Sequence, residues 1–180
     1  GATPCGEAGL MLDRPVPVER LPGFAEGLVS VQDPAAQMAA ALLDSAPGSR
    51  VLDACAAPGG KAAHLLERAD LDLLALDLKP SRCRRVAENL ARLGLHASLK
   101  AADCARLDTW WDGRPFDAVL TDVPCTASGV VRRNPDAKWL RRETDIASFA
   151  KTQARILDAL WQVVQPWGQL LYVTGSVFSE

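Results

Sequence analysis

One stretch, residues 50–68, constrains this chain more than any other. An apolar run at 50–54 enters Cys55, Ala56, Ala57, Pro58, Gly59, Gly60 and Lys61, and a helical pattern starts at Gly60. A short apolar run closed by Pro and Gly and followed by a 3.6-residue period reads as strand, tight loop and helix. The alternation then repeats. Strands are expected at 71–77, 96–101, 116–121 and 169–174, and helices at 60–68, 81–93 and 144–164, the last stopped by Pro166 and Gly168. Strands that alternate with helices imply an α/β fold: a mostly parallel, doubly wound sheet covered on both faces. Upstream, Asp33 and Pro34 make an N-cap and first-turn pair for a helix at 35–43, and a short strand is expected at 27–31. Residues 1–26, rich in Pro and Gly, read as an extended N-terminal arm, and residues 27–180 as the ligand-binding domain.

Composition removes several classes. The chain has 180 residues, 48% of them hydrophobic, enough to bury a core in one domain without disulfides. Its five cysteines form no C-x-x-C pair and its two histidines lie far apart, so spacing indicates neither a metal site nor a redox motif. A reduced, cytoplasmic setting is the expectation. No apolar run reaches the roughly 18 residues of a membrane span. The net charge of −2 lacks the basic excess of a typical nucleic-acid binder, so nucleic acid must be met by a local patch.

In an open parallel sheet, ligands bind beyond the carboxyl ends of the strands, near the point where strand order reverses. Glycines let a backbone approach a ligand, and a helix N-terminus offers free N–H groups to an anion. The spacing here is not G-x-G-x-x-G, so the loop suits the carboxylate of an amino-acid-like cofactor better than a dinucleotide. Asp77 ends the second strand, where an acid commonly takes ribose hydroxyls; its other reading is the cap of the helix near Pro80. Asp103 follows the third strand and could receive an adenine amino group; otherwise it is a loop acid. Suitable groups at three strand ends together favour an adenosine cofactor.

Three motifs carry a family resemblance: Asp53 through Lys61, Asp122 through Gly129, and Arg132 through Trp139. Together they resemble the Sun-type RNA cytosine-5 methyltransferases, most of all the bacterial small-subunit ribosomal RNA members, from about residue 27 to the end. The resemblance implies a Rossmann-like class I S-adenosylmethionine-dependent methyltransferase fold. A complete sheet of that kind continues past a fifth strand, so truncation at the C-terminal end is expected. It implies S-adenosylmethionine as cofactor, held by residues 55–61 with Asp77, Asp103 and Asp122. It implies small-subunit ribosomal RNA as partner, a monomer, and no metal.

Cytosine carbon 5 is a poor nucleophile until a thiolate adds to carbon 6. The base must also leave its stack to reach a pocket. Asp122, near ring nitrogen 3, Lys61 beside it, and Cys125 are the catalytic residues that the resemblance implies. Read alone, Cys125 could be a small buried hydrophobe and Asp122 a turn residue before Pro124. One departure stands out. Where the family carries its attacking cysteine after a Thr, this chain reads Thr174, Gly175, Ser176. Glycine cannot attack, so three readings stay open: an inactive form, Cys125 as substitute nucleophile, or a role for Ser176, whose hydroxyl is weak without a base. Impaired transfer with cofactor binding retained is the expectation, and an inactive cofactor- and RNA-binding module the alternative. Val123, where the family usually has Ala, is a smaller departure.

Arg132, Arg133, Lys138, Arg141 and Arg142, with Trp139 among them, make a basic stretch directly after the catalytic motif. Phosphate contacts and base stacking favour RNA there, against the plainer reading of a solvated basic loop. Trp110 and Trp111 read as packing residues.

Overall fold

The structure, a computed structural model, describes residues 1–131 and 134–178. Two strands within the expected N-terminal arm, Ala2–Cys5 (β1) and Gly9–Leu12 (β2), pair antiparallel. The main sheet is built from Arg50–Ala54 (β3), Asp72–Asp77 (β4), Ser98–Ala101 (β5), Phe116–Asp122 (β6) and Val164–Val173 (β7). All four pairings in it are parallel, in the order β5-β4-β3-β6-β7. The chain builds outward from β3 to β5 and then returns to the other side of β3. The reversal lies between β3 and β6, and it opens a crevice at their carboxyl ends.

Side chains alternate along each strand and so feed two cores. Pro34–Leu43 (α1), Gly60–Arg68 (α2) and Pro80–Arg92 (α3) cover one face. There Ala39, Leu43, Leu65, Val86 and Leu90 pack on Val51, Leu73, Ala75 and Leu120. Ala137–Leu140 (α4) precedes Glu143–Trp161 (α5), and α5 covers the other face, setting Ile156 and Leu160 against Leu52, Leu76 and Val119, with Trp110 beside them. The packing role expected of Trp110 is thus observed; its indole N–H donates to the Cys104 carbonyl at 3.2 Å. α1 starts as its sequence dictates: the Asp33 carboxylate accepts the Ala35 N–H at 3.0 Å and Pro34 occupies the first turn. Among the described residues no helix is long and apolar enough to cross a membrane, and no group of three or more His, Cys, Asp or Glu could hold a metal.

Two element expectations are corrected. No strand forms at 27–31. Gly27 is left-handed at φ 75°, and Arg92 at the end of α3 donates to the carbonyls of Phe24 (2.6 Å) and Val29 (3.0 Å), which pins the segment to the helix instead of a sheet. The last strand begins at Val164, before Pro166 and Gly168. That Pro-Trp-Gly triplet is a bulge inside β7, with Trp167 at φ 68° and a register shift opposite Phe116 and Ala118. β7 lies at the sheet edge, where a missing proline N–H and a bulge are tolerated.

Candidate active site

A cleft of about 390 Å³ opens at the carboxyl ends of β3, β4, β5 and β6 and is closed on its far side by α5. Cys55, Ala57, Asp77, Asp103, Asp122 and Cys125 all line it, so the fold gathers residues spread over seventy positions of sequence. The loop between β3 and α2 forms one wall. Its Ala56 N–H donates to the Leu76 carbonyl at 2.8 Å, and Gly59 adopts φ 99° as the residue before α2. A Cβ on Gly59 would stand 3.2 Å from the Val86 backbone, so glycine serves both the turn and the approach of α3. Pro58 follows a cis peptide bond.

The three acids are held differently. Asp77 is 4% exposed. It accepts the Ala57 N–H at 3.2 Å and pairs with Arg82 at 2.9 Å. The cap position of α3 is Lys79, so Asp77 ties the loop to the helix rather than capping it. Asp103 accepts from the Ala105 N–H at 3.0 Å and from Arg155 on α5 at 2.9 Å. Partial burial pushes its carboxyl up, but the Arg155 hydrogen bond and charge and the Ala105 amide outweigh that and hold it below the usual range. Asp122 ends β6 and pairs with Lys61 of α2 at 2.6 Å. Lys61 stands in the first helical turn, where the dipole disfavours a cation; its Asp122 partner accounts for the placement.

Behind this wall lies Asp53, fully buried, its carboxylate facing the Ala62 backbone N–H without a hydrogen bond of good geometry among the described residues. Burial pushes its pKa up to about 7; the Lys61 charge opposes this and the Asp122 and Asp77 charges add to it.

Cys125 sits at the lip, and its sulfur accepts the Ala127 N–H at 3.3 Å. A Cβ on Gly175 would lie 3.8 Å from that sulfur, an ordinary contact. Position 175 therefore faces Cys125 directly and has room for a side chain. The loops bearing the two are zipped together: Gly129 N–H donates to the Gly175 carbonyl at 2.8 Å, and the hydroxyls of Thr126 and Ser176 stand 3.0 Å apart. The Ser176 hydroxyl thus belongs to a hydroxyl cluster with Thr126 and Ser128. Val123 is buried and lines the cleft.

Comparison with known proteins turns this geometry into a family assignment. Residues 40–180 match the family described as 16S rRNA methyltransferase RsmB/F. The chain belongs to that family. Over 169 residues it is 58% identical to Ribosomal RNA small subunit methyltransferase B of Xylella fastidiosa, covering 93% of this chain and 39% of that protein. Over 170 residues it is 55% identical to the protein of the same name from Pseudomonas syringae, covering 93% and 38%. The crystal structure of NSun6 from Pyrococcus horikoshii with SFG is similar at a TM-score of 0.79 and 29% identity, over 87% of this chain and 40% of that one. The chain spans about two-fifths of the length of the curated relatives it matches. The Rossmann-like methyltransferase fold expected from the motifs is the fold observed.

The RsmB/F assignment directs attention to residues that the sequence did not reveal. Gln153 on α5 is buried, donates to the Pro124 carbonyl at 3.0 Å and accepts the Tyr172 hydroxyl at 2.7 Å, which fixes the turn carrying Cys125. Arg155 and Arg82 hold Asp103 and Asp77. All three are helical residues whose partners depend on packing, and no motif marks them. In the basic stretch, Trp139 is 80% exposed with Lys138 4.9 Å from its ring centroid, whereas Arg141 turns inward to the Thr126 carbonyl. Arg132 and Arg133 lie outside the described residues.

Proposed function

We propose that residues 27–180 form an S-adenosylmethionine-binding methyltransferase domain directed at carbon 5 of a cytosine in small-subunit ribosomal RNA, working as a cytoplasmic monomer, with transfer impaired by Gly175. One observation carries this reading: a single cleft at the strand ends holds Asp77, Asp103 and Asp122, with the Lys61–Asp122 pair beside Cys125. The residues fit the cofactor. Carboxylates at three successive strand ends can accept hydrogen bonds from ribose hydroxyls, an adenine amino group and an ammonium, and all three line the one cleft. NSun6, solved with SFG, an analogue of S-adenosylmethionine, supports the assignment.

Residues 55–61, with the N-terminus of α2, would hold the amino-acid end of the cofactor, Asp77 the ribose hydroxyls and Asp103 the adenine amino group, with Asp122 at the end nearest Lys61. When bound, the cofactor supplies an electrophilic methyl group. Asp122 and Lys61 would stand together at cytosine nitrogen 3, the Lys61 ammonium offsetting the negative charge that grows there as carbon 6 is attacked. Cys125 is the thiol at the lip, its sulfur positioned by the Ala127 N–H. It stands in for the thiol that position 175 lacks. Lys138 and the exposed Trp139, with Arg132 and Arg133, supply phosphate and stacking contacts to RNA.

Initial rates of methyl transfer to 16S ribosomal RNA test this reading. Gly175→Cys raises the rate at least about tenfold, equivalent to about 1.4 kcal/mol of barrier, and Cys125→Ser abolishes the residual rate of the parent. Full activity in the Gly175 chain that persists in Cys125→Ser would overturn the reading.

A further inference from the structure

Methyl transfer uses no sulfur chemistry at two further cysteines of the cleft. Cys55 follows β3 and Cys104 follows β5, with β4 between those strands, yet the fold brings the two sulfurs to 3.9 Å. Both cysteines are free and both line the cleft, next to Asp77 and Asp103. Cys55 is also the first residue of the loop and is held at φ 66°, a left-handed conformation that non-glycine residues adopt only under strain. Trp110 anchors the backbone of Cys104 through its carbonyl.

The pair is electrically unequal. The hydrogen bond between the two sulfurs pulls the Cys104 thiol down, with the Arg155 charge helping against burial and Asp103. The same hydrogen bond, together with burial, pushes the Cys55 thiol up. A reactive thiol beside a resolving thiol is the arrangement that turns a first oxidation into a disulfide.

We propose that Cys55 and Cys104 form an oxidisable dithiol, a modification site for peroxides, whose disulfide disables the cofactor cleft. Cys104 sulfur attacks one peroxide oxygen. The O–O bond breaks, and the departing hydroxide takes the Cys104 proton and leaves as water, giving a sulfenic acid. Cys55 sulfur then attacks that sulfur; the S–O bond breaks and the hydroxide leaves as a second water with the Cys55 proton. Two thiols lose two electrons and the peroxide gains them. Closure needs the sulfurs to move from 3.9 Å to about 2.05 Å. That draws the first residue of the loop toward the segment after β5 and displaces Ala57, whose N–H holds Asp77.

The bond itself is independent of the functional reading, whereas its effect on affinity rests on it. The reduced chain is treated with hydrogen peroxide, the remaining thiols are blocked, and linked peptides are mapped by mass spectrometry. S-adenosylmethionine affinity is measured before oxidation, after it, and after dithiothreitol. The expected result is a Cys55–Cys104 linked peptide and an affinity loss of at least about tenfold, reversed by dithiothreitol. Cys104→Ala should show no such loss relative to its own reduced form. Three results would each overturn the proposal: Cys104 halting at sulfenic or sulfinic acid, a bridge to another cysteine, or a Cys55–Cys104 link with affinity unchanged. A reduced chain that binds no S-adenosylmethionine would refute the functional reading instead, and the linked peptide would still decide the dithiol.

Discussion

Asp53 shows what the site costs at the scale of one residue. Its carboxyl is fully buried, and burial raises its pKa from 3.8 to about 7. An unfolded chain releases that proton as pH passes about 4, whereas the folded chain keeps it until about 7. Folding therefore binds a proton within this window, and stability falls as pH rises through it, by at most about 1.4 kcal/mol per pH unit. Asp53→Asn removes the linkage. In urea unfolding, the variant should gain on the parent as pH rises from about 4 to about 7 and hold level above that; parallel profiles across the window would contradict the protonated, buried carboxyl. Asp77 and Asp103 were legible in the sequence from their places at strand ends, where such sheets bind ligands, whereas Asp122 and Cys125 were legible through the motif that carries the family resemblance. Gln153 and Arg155 were not, because only the seating of α5 on the sheet gives them partners in the cleft.

Among the elements, the loop between β3 and α2 carries the most information. Gly59 and Gly60 are adjacent but differ physically. Gly59 is left-handed and faces the Val86 backbone, whereas a Cβ on Gly60 would meet nothing within 4 Å. Gly59→Ala should destabilise the fold by about 1–3 kcal/mol, while Gly60→Ala should change stability by less than about 0.5 kcal/mol. Thermal unfolding checks both, and equal effects would contradict the described loop. Both β3 and α2 end where the sequence places them, since apolar run, Pro-Gly-Gly and helical period coincide there. β7 was misjudged at its start because Pro166 and Gly168 are usually breakers; on an edge strand they form a bulge. The strand expected at 27–31 failed for a tertiary reason, the capture of its carbonyls by Arg92.

For the whole molecule, the reversal of strand order between β3 and β6 is the organising fact. It places the loop after β3 opposite Asp122 and Cys125, and the return through α5 and β7 brings position 175 against Cys125. Strand–helix alternation made the parallel sheet legible, but the meeting of Cys55 with Cys104 was invisible to a search for C-x-x-C, because the sheet and not the spacing creates it. The net charge of −2 likewise averages over a molecule whose basic stretch follows the turn carrying Cys125. We propose that the crevice at the strand reversal is an S-adenosylmethionine site organised by Asp77. Calorimetric titration of the reduced chain with S-adenosylmethionine, against NAD and with Asp77→Asn in parallel, tests it most directly. The account predicts binding of S-adenosylmethionine but not of NAD, and a loss of about ten- to hundredfold in Asp77→Asn, the worth of hydrogen bonds to a charged acceptor. Preferential binding of NAD, or an affinity indifferent to Asp77→Asn, would contradict it.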